Sequence, residues 1–233
     1  RGSRRAFPED EDQALGPLAS VVPIGGGRSG RIACFTAIRE CSKDRRWQRA
    51  VSLLAVAAAA DFAPDLVTCS AAIAACAEQW VVALAILANA RDRRLSLDVV
   101  AYGAAVSACA KGKRWQLVLA LLMEARRSVA NPDVPLYTAA VSGCRRAQQW
   151  QRALALFSEA RGGRLGLNVA MYSATVSACD RSLRWQLSLH LLAQALGSCL
   201  PPSATLCSTV VSACAKAQAW QQALQTLRRA CSE

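Results

Sequence analysis

Apolar side chains recur along this chain at the spacing of an α-helix. In residues 99–133 the first series lies three or four residues apart, at Tyr102, Ala105, Val106 and Cys109. After a polar interruption the same spacing resumes at Trp115, Val118, Leu119 and Leu122. Such spacing gathers apolar residues on one side of a helix. The pattern therefore predicts a first helix of about twelve residues, a turn, and a second helix that ends near Arg127.

The whole pattern is itself repeated. The segments VSACAKGKRWQ, VSGCRRAQQWQ, VSACDRSLRWQ and VSACAKAQAWQ begin 35 residues apart, and two related segments precede them. The six tryptophans share one position of the repeat: Trp47, Trp80, Trp115, Trp150, Trp185 and Trp220. Six cysteines share another: Cys41, Cys76, Cys109, Cys144, Cys179 and Cys214. A period of this length indicates stacked units that bury their apolar faces against their neighbours.

We therefore predict an all-α fold, a right-handed superhelical solenoid of helix-turn-helix repeats. The predicted units are 31–65, 66–98, 99–133, 134–168, 169–203 and a partial unit, 204–233. Residues 1–30 contain proline, glycine and mixed charges without apolar periodicity, and we expect a disordered leader there. Because the chain begins with arginine and ends within a unit, we expect a fragment of a longer array or a processed product.

The two predicted helices of a unit differ in side-chain size. The first carries mainly alanine and cysteine on its apolar side, whereas the second carries bulky residues. Small faces permit close stacking of the units. The tryptophans are expected to fill the joint between neighbouring hairpins, each burying an area on the order of 200 Å². Stacking on nucleic-acid bases is the alternative role for these rings.

The cysteine pattern argues against disulfides and metal sites. Helices packed about 10 Å apart hold equivalent backbones beyond the ~7 Å reach of a disulfide. We interpret the periodic cysteines as buried thiols in a reducing compartment. No cysteine pair has the two-residue gap of a zinc or redox motif, so we expect no metal and no cofactor. Two long apolar stretches are broken by Glu78 and by Pro201 and Pro202, so membrane insertion is not expected.

Positive charge is concentrated in the predicted repeats. The net charge is +12, and the four cations of residues 1–30 are balanced by four carboxylates. The thirteenth residue of each unit is cationic in five of six units: Lys43, Glu78, Lys111, Arg146, Arg181 and Lys216. Equivalent positions line up along a solenoid, so this register predicts a positive rail suited to a polyanion. Turns that carry lysine and arginine for solubility are the alternative explanation.

The sequence shows no pattern of residues that is typical of a catalytic site. The one histidine, His190, is interpreted as a helix-surface residue, because no acid, nucleophile or metal-ligand pattern surrounds it in the sequence. We therefore predict that the chain is not an enzyme.

The unit junction NPD/VPLYT, the related junction SLD/VVAYG in which Leu97 replaces the proline, and the Trp-Gln opening of the second helix resemble the pentatricopeptide repeat family. The resemblance covers residues 31–233. Tetratricopeptide units are 34 residues long and carry a different Trp and Gly-Tyr pattern, so they fit less well. The resemblance implies a monomer that binds single-stranded RNA, one base per unit, in mitochondria or chloroplasts. It also implies recruited RNA-processing proteins as partners, and roles in RNA processing, editing, stability or translation.

The resemblance also assigns roles to individual residues. The base-reading pairs would be Ser70 with Asp98, Gly103 with Asp133, Thr138 with Asn168, and Ser173 with Ser203. Val67 and Val100 would sandwich bases, and the phosphate contacts would be Lys43, Lys111, Arg146, Arg181 and Lys216. In the family's code, serine or threonine with aspartate resembles a guanine reader, and threonine with asparagine an adenine reader. Gly103 can make no side-chain hydrogen bond.

Two alternative interpretations remain, one for the base-reading residues and one for the function. Asp65, Asp98, Asp133, Asn168 and Ser203 are equally favoured as helix caps, so their chemistry alone does not establish base reading. The second functional hypothesis is a protein-interaction scaffold whose groove holds an acidic peptide.

Overall fold

The computed structural model describes residues 28–44, 46–59, 64–128, 132–163, 165–182, 184–197, 204–219, 221 and 224–225. These residues form eleven assigned helices and no strand: α1 (Arg28–Lys43), α2 (Trp47–Ala59), α3 (Leu66–Ala75), α4 (Trp80–Asp92), α5 (Val99–Lys111), α6 (Trp115–Ser128), α7 (Val134–Arg146), α8 (Trp150–Gly162), α9 (Val169–Arg181), α10 (Trp185–Gly197) and α11 (Ala204–Lys216).

The helices are arranged in two layers. The odd-numbered helices are the first helices of the units, and each contacts the next first helix along the chain. Each second helix contacts its own first helix and the first helix of the following unit. Within the described ranges, no two second helices approach each other to a Cα separation of 8 Å. The array is an all-α superhelical solenoid, which confirms the predicted fold class.

Four first helices begin with a side-chain cap. Asp65, Asp98, Asp133 and Asn168 each precede a helix and accept a hydrogen bond from the backbone N–H three residues later, at 2.8–2.9 Å. These bonds satisfy amide groups that have no partner inside the helix. The cap interpretation is confirmed for these four residues, and Ser203 lies outside the described residues.

The periodic cysteine marks the end of the first helix. The carbonyl of Cys109 accepts a hydrogen bond from Arg114 N at 3.0 Å, and that of Cys144 accepts one from Gln149 N at 2.9 Å. Between them the chain passes through the left-handed region, with φ of 57° at Lys113 and 59° at Gln148. This is the geometry of a Schellman-type helix end, and the second helix starts immediately afterwards at tryptophan.

Small side chains bring the first helices together. A Cβ added at Gly143 would lie 3.1 Å from the Cβ of Ala110 and 3.3 Å from its Cα, so α7 and α5 meet almost backbone to backbone. The six periodic cysteines are buried and free of disulfides. Burial raises the pKa of Cys76, Cys109, Cys144 and Cys179 to about 11. Their thiols therefore stay protonated near neutral pH and act as small apolar side chains.

Each tryptophan in the described residues is only half-buried, and two of them contact an arginine across the joint between units. The guanidinium carbon of Arg114 lies 4.8 Å from the ring centroid of Trp80, and that of Arg184 lies 5.1 Å from the ring of Trp150. Both arginines belong to the unit after the tryptophan, so each pair spans a joint. The repeat pattern predicts a larger apolar burial of these rings. At Trp80 and Trp150 a guanidinium covers the ring instead, and part of the ring surface stays accessible to water.

The first helix begins earlier than predicted. Helix α1 begins at Arg28, three residues inside the predicted leader, and the segment from Arg28 to Lys43 contains no proline that would end a helix. Residues 1–27 lie outside the described residues. Helix α3 spans 10 residues whereas the other first helices from α5 onward span 13. In the described part of the chain, no helix is long and apolar enough to cross a membrane.

Candidate nucleic-acid interface

The first helices expose an aliphatic side chain at the second position of several units. Ile32, Val67 and Val100 are 58%, 55% and 67% exposed. Pro135 and Ala170 occupy the same position on α7 and α9 and are also exposed. Each side chain lies one turn before the fifth residue of its unit, on the same helix face. Val67 and Val100 were predicted to sandwich bases, and Ile32 was not singled out, although its position in the repeat is the same.

The fifth-position hydroxyls of α7 and α9 line a groove. Thr138 and Ser173 are half-buried, and together with Ser142 and Ser177 they border a groove of about 510 Å³. The groove continues to Thr205 on α11, so it crosses three consecutive first helices. The Thr138 hydroxyl donates to the carbonyl of Val134 at 2.8 Å, which leaves its oxygen able to accept another hydrogen bond.

The fifth positions of the earlier units differ from these. Ser70 is buried, and its hydroxyl donates to the carbonyl of Leu66 at 2.5 Å. Gly103 has no side chain, and no neighbouring atom lies within 4 Å of the position that a Cβ would occupy. These two predicted base-reading positions therefore offer less polar surface than Thr138 and Ser173 do.

The capping residues keep polar atoms at the surface. Asp133 and Asn168 are exposed, and Asp98 is half-buried. Each uses its Oδ1 atom for the cap. A carboxylate has a second oxygen and an asparagine has an amide nitrogen, so capping and ligand binding are compatible in one side chain. Ser203, the predicted partner of Ser173, lies outside the described residues.

The predicted phosphate contacts have different surroundings. Lys43 and Arg146 are exposed, and Lys111 is half-buried. The Nζ atom of Lys216 lies 2.7 Å from Oδ2 of Asp180, so its charge is partly neutralised within the protein. Helix α9 includes Arg181, whose side chain lies outside the description. The positive charge along the turns is thus uneven.

Sequence reasoning missed the serines at the ninth position. Ser142 and Ser177 line the groove one turn beyond the fifth-position residues, and both are half-buried. Their signal was present in the repeated segments VSGC and VSAC, in which the serine precedes the cysteine by two residues. Fifth and ninth residues lie on one helix face, which is why both reach the same groove.

The arrangement defines a class of protein, the α-helical repeat solenoid with an exposed polar groove on its first helices. No protein-family model matches the sequence, and no curated protein matches it. Among solved structures, the fold is similar to the pentatricopeptide repeat protein PPR10 from maize, with a TM-score of 0.67 and 22% sequence identity. The match covers 85% of this chain and 29% of the maize protein.

Two further solved structures are similar. PPR10 in complex with an 18-nt psaJ RNA element has a TM-score of 0.70 and 18% identity, over 85% of this chain and 29% of that one. Nuclear proteinaceous RNase P 2 from A. thaliana has a TM-score of 0.64 and 12% identity, over 77% of this chain and 41% of that one. The chain is therefore a pentatricopeptide-like helical repeat protein in its fold. It spans less than a third of the length of the maize protein.

Proposed function

We propose that this chain binds single-stranded RNA sequence-selectively, with one base per unit. The observation that carries the proposal is the row of exposed aliphatic side chains at Ile32, Val67 and Val100. One exposed valine is ordinary, but three at equivalent positions of consecutive units form a periodic apolar surface. Flat, partly apolar bases fit between such side chains, and their polar edges would meet the residues one turn further along each helix.

Thr138 and Asn168 are the pair with the clearest chemistry. Adenine offers an amino donor beside a ring-nitrogen acceptor, and an asparagine amide has both an acceptor and a donor to match them. An aspartate only accepts, and it suits the adjacent donors of guanine. We therefore assign adenine to the unit that contains Thr138 and Asn168, and guanine to the unit that contains Ser70 and Asp98.

Charge supplies the part of the affinity that does not depend on sequence. The predicted phosphate contacts are Lys43, Lys111, Arg146, Arg181 and Lys216. Five phosphate contacts would give a slope of log K against log salt near −3.5 for a single strand. If the Asp180 carboxylate keeps Lys216 from contributing, four contacts remain and the slope is about −2.8. Binding that is insensitive to salt contradicts the proposal.

The biological setting is inferred from the family resemblance. We infer that the chain acts in a mitochondrion or chloroplast, in RNA processing, editing, stability or translation. We also infer that it has no catalytic activity of its own and acts by covering or exposing a transcript. The solved RNA complex of PPR10 supports RNA as the ligand, since its fold is similar to the one described here.

The test is a swap of the residue that reads the base. Asn168→Asp keeps a side chain that caps helices well, so folding should be unchanged. In binding assays with single-stranded RNAs that differ at one base, the variant should shift its preference at that position from adenine toward guanine. The matched control is Asp133→Asn, which makes the reverse swap in the unit of Gly103. Its effect should be smaller, because Gly103 contributes no second polar group.

The competing function is a scaffold for an acidic peptide in the same groove. The cationic turns would serve that ligand as well as RNA. A scaffold predicts no base preference in the wild type and no change in preference for Asn168→Asp.

A further inference from the structure

Ion pairs bridge consecutive second helices at two joints. Arg91 Nη1 on α4 lies 2.9 Å from Oε1 of Glu124 on α6. One repeat later, Arg126 on α6 pairs with Glu159 on α8. Each glutamate also accepts a hydrogen bond from the tyrosine hydroxyl of its own unit, at 3.1 Å from Tyr102 and 2.9 Å from Tyr137. A carboxylate therefore connects three helices at each of these joints.

The next joint has the cation without the carboxylate. Arg161 on α8 is 35 residues beyond Arg126, and the position 35 residues beyond Glu159 is Gln194. Within the described ranges Arg161 is exposed and has no ion-pair partner. A neutral amide cannot neutralise a guanidinium, so the charge that the other two joints satisfy internally remains available to a ligand.

A groove opens at this joint. It has a volume of about 440 Å³ between α8 and α10 and is bordered by Arg161, Gln194, His190, Phe157, Leu187 and Leu191. Nε2 of His190 lies 2.7 Å from Nε2 of Gln194, so the two side chains hold each other along one wall. Apolar residues form much of the remaining lining, which gives the groove one cationic end beside an apolar surface.

We propose that this groove binds an acidic segment of a partner protein. An aspartate or glutamate carboxylate of the segment would pair with Arg161, in the role that Glu124 and Glu159 have at the preceding joints. An apolar side chain beside it would pack on Leu154 and Leu187, which also border the groove and are only half-buried. The argument for this occupant is charge complementarity, since the protein supplies the cation twice with its own carboxylate and once without it. The site lies on the second-helix layer, apart from the RNA groove of the first helices.

The test pans a library of displayed random peptides on the 233-residue chain and on its Gln194→Glu variant. This substitution supplies the carboxylate internally, so it should pair with Arg161 and close the groove to acidic ligands. Peptides enriched on the wild type should contain aspartate or glutamate next to a large apolar residue. Replacing that acidic residue by its amide should weaken binding about tenfold or more, as should Gln194→Glu.

Two arginine variants give a matched comparison. Arg161→Gln should lose the peptide about as completely as Gln194→Glu does, while Arg126→Gln should bind it as well as the wild type. All three variants should keep the thermal transition of a folded chain and the same RNA affinity. The proposal is overturned by a library that yields no peptide preferring the wild type to Gln194→Glu. It is overturned equally by equal losses for Arg161→Gln and Arg126→Gln, or by RNA that competes for the peptide.

Discussion

The two rows of helices are held together by different forces. In the first-helix row, α5 and α7 approach so closely that a Cβ added at Gly143 would lie 3.1 Å from the Cβ of Ala110, a tighter contact than real Cβ atoms usually make. In the second-helix row, α4 and α6 stay further apart and are bridged by Arg91 and Glu124. Close packing tolerates little variation in the size of the side chains that meet at such a contact. An ion pair can be lost without disturbing this packing, so the contacts between second helices can differ from one joint to the next.

The largest expected loss of stability comes from placing a large side chain between two first helices. Gly143→Leu introduces a side chain whose first carbon would meet backbone and side chain of Ala110 and a methyl group of Val118, at 3.1–3.3 Å. Backbone atoms of a packed helix cannot move aside alone, so we expect a loss of stability of about 3 kcal/mol. The measurement is the free energy of unfolding from urea titration.

Gly103 provides the matched control in the same row. A Cβ added there meets no atom within 4 Å. Gly103→Ala should therefore raise stability by roughly 0.5–1 kcal/mol, because alanine loses less entropy than glycine in a helix interior. If both glycine variants lose stability to the same extent, close contact between first helices is not what holds the row together.

Substitutions at the joint between two units should cost less stability than Gly143→Leu. Trp80→Ala removes a half-buried ring that packs on Gly112 and under Arg114 of the next unit. Truncation of a fully buried tryptophan costs about 3–5 kcal/mol, so we expect about 2 kcal/mol at this partly exposed site. Arg114→Ala should cost about 0.5–1 kcal/mol by removing only the cation from the ring. Urea titration of both variants checks this order, and an equal loss would contradict it.

Repetition explains how much the sequence could predict. A helical hairpin is encoded locally by apolar spacing, by a cap such as Asp98, and by the helix end at Cys109. Because each unit contacts only its neighbours, six copies of one local pattern were enough to predict the solenoid. The family resemblance singled out Thr138 and Ser173, and in the structure both side chains border one groove.

What the sequence could not predict depends on pairing between units. Lys216 of the predicted rail pairs with Asp180, and two further turn cations, Arg114 and Arg184, lie over tryptophan rings. Each of these contacts joins residues more than 30 positions apart, and several partners compete for each cation. Which partner a cation contacts depends on distances between units, and an alignment of the repeats does not give those distances.

The smallest expected effect tests the second row itself. Glu124→Gln recreates at the α4–α6 joint the side chains found at the α8–α10 joint. The amide still accepts from the Tyr102 hydroxyl, which burial keeps protonated by raising its pKa, so the change removes mainly the ion pair with Arg91. Since Arg91 is largely exposed, we expect a loss of about 0.5–1 kcal/mol.

A double-mutant cycle with Arg91→Gln separates the ion pair from other effects of either change. The two substitutions together should cost about 0.5 kcal/mol less than the sum of the single losses, because the second change removes a pair that the first has already broken. The coupling should also shrink at high salt, since Arg91 lies at the surface. Strictly additive losses would mean that the pair contributes nothing to the joint. The second row would then be held by its packing on the first helices alone.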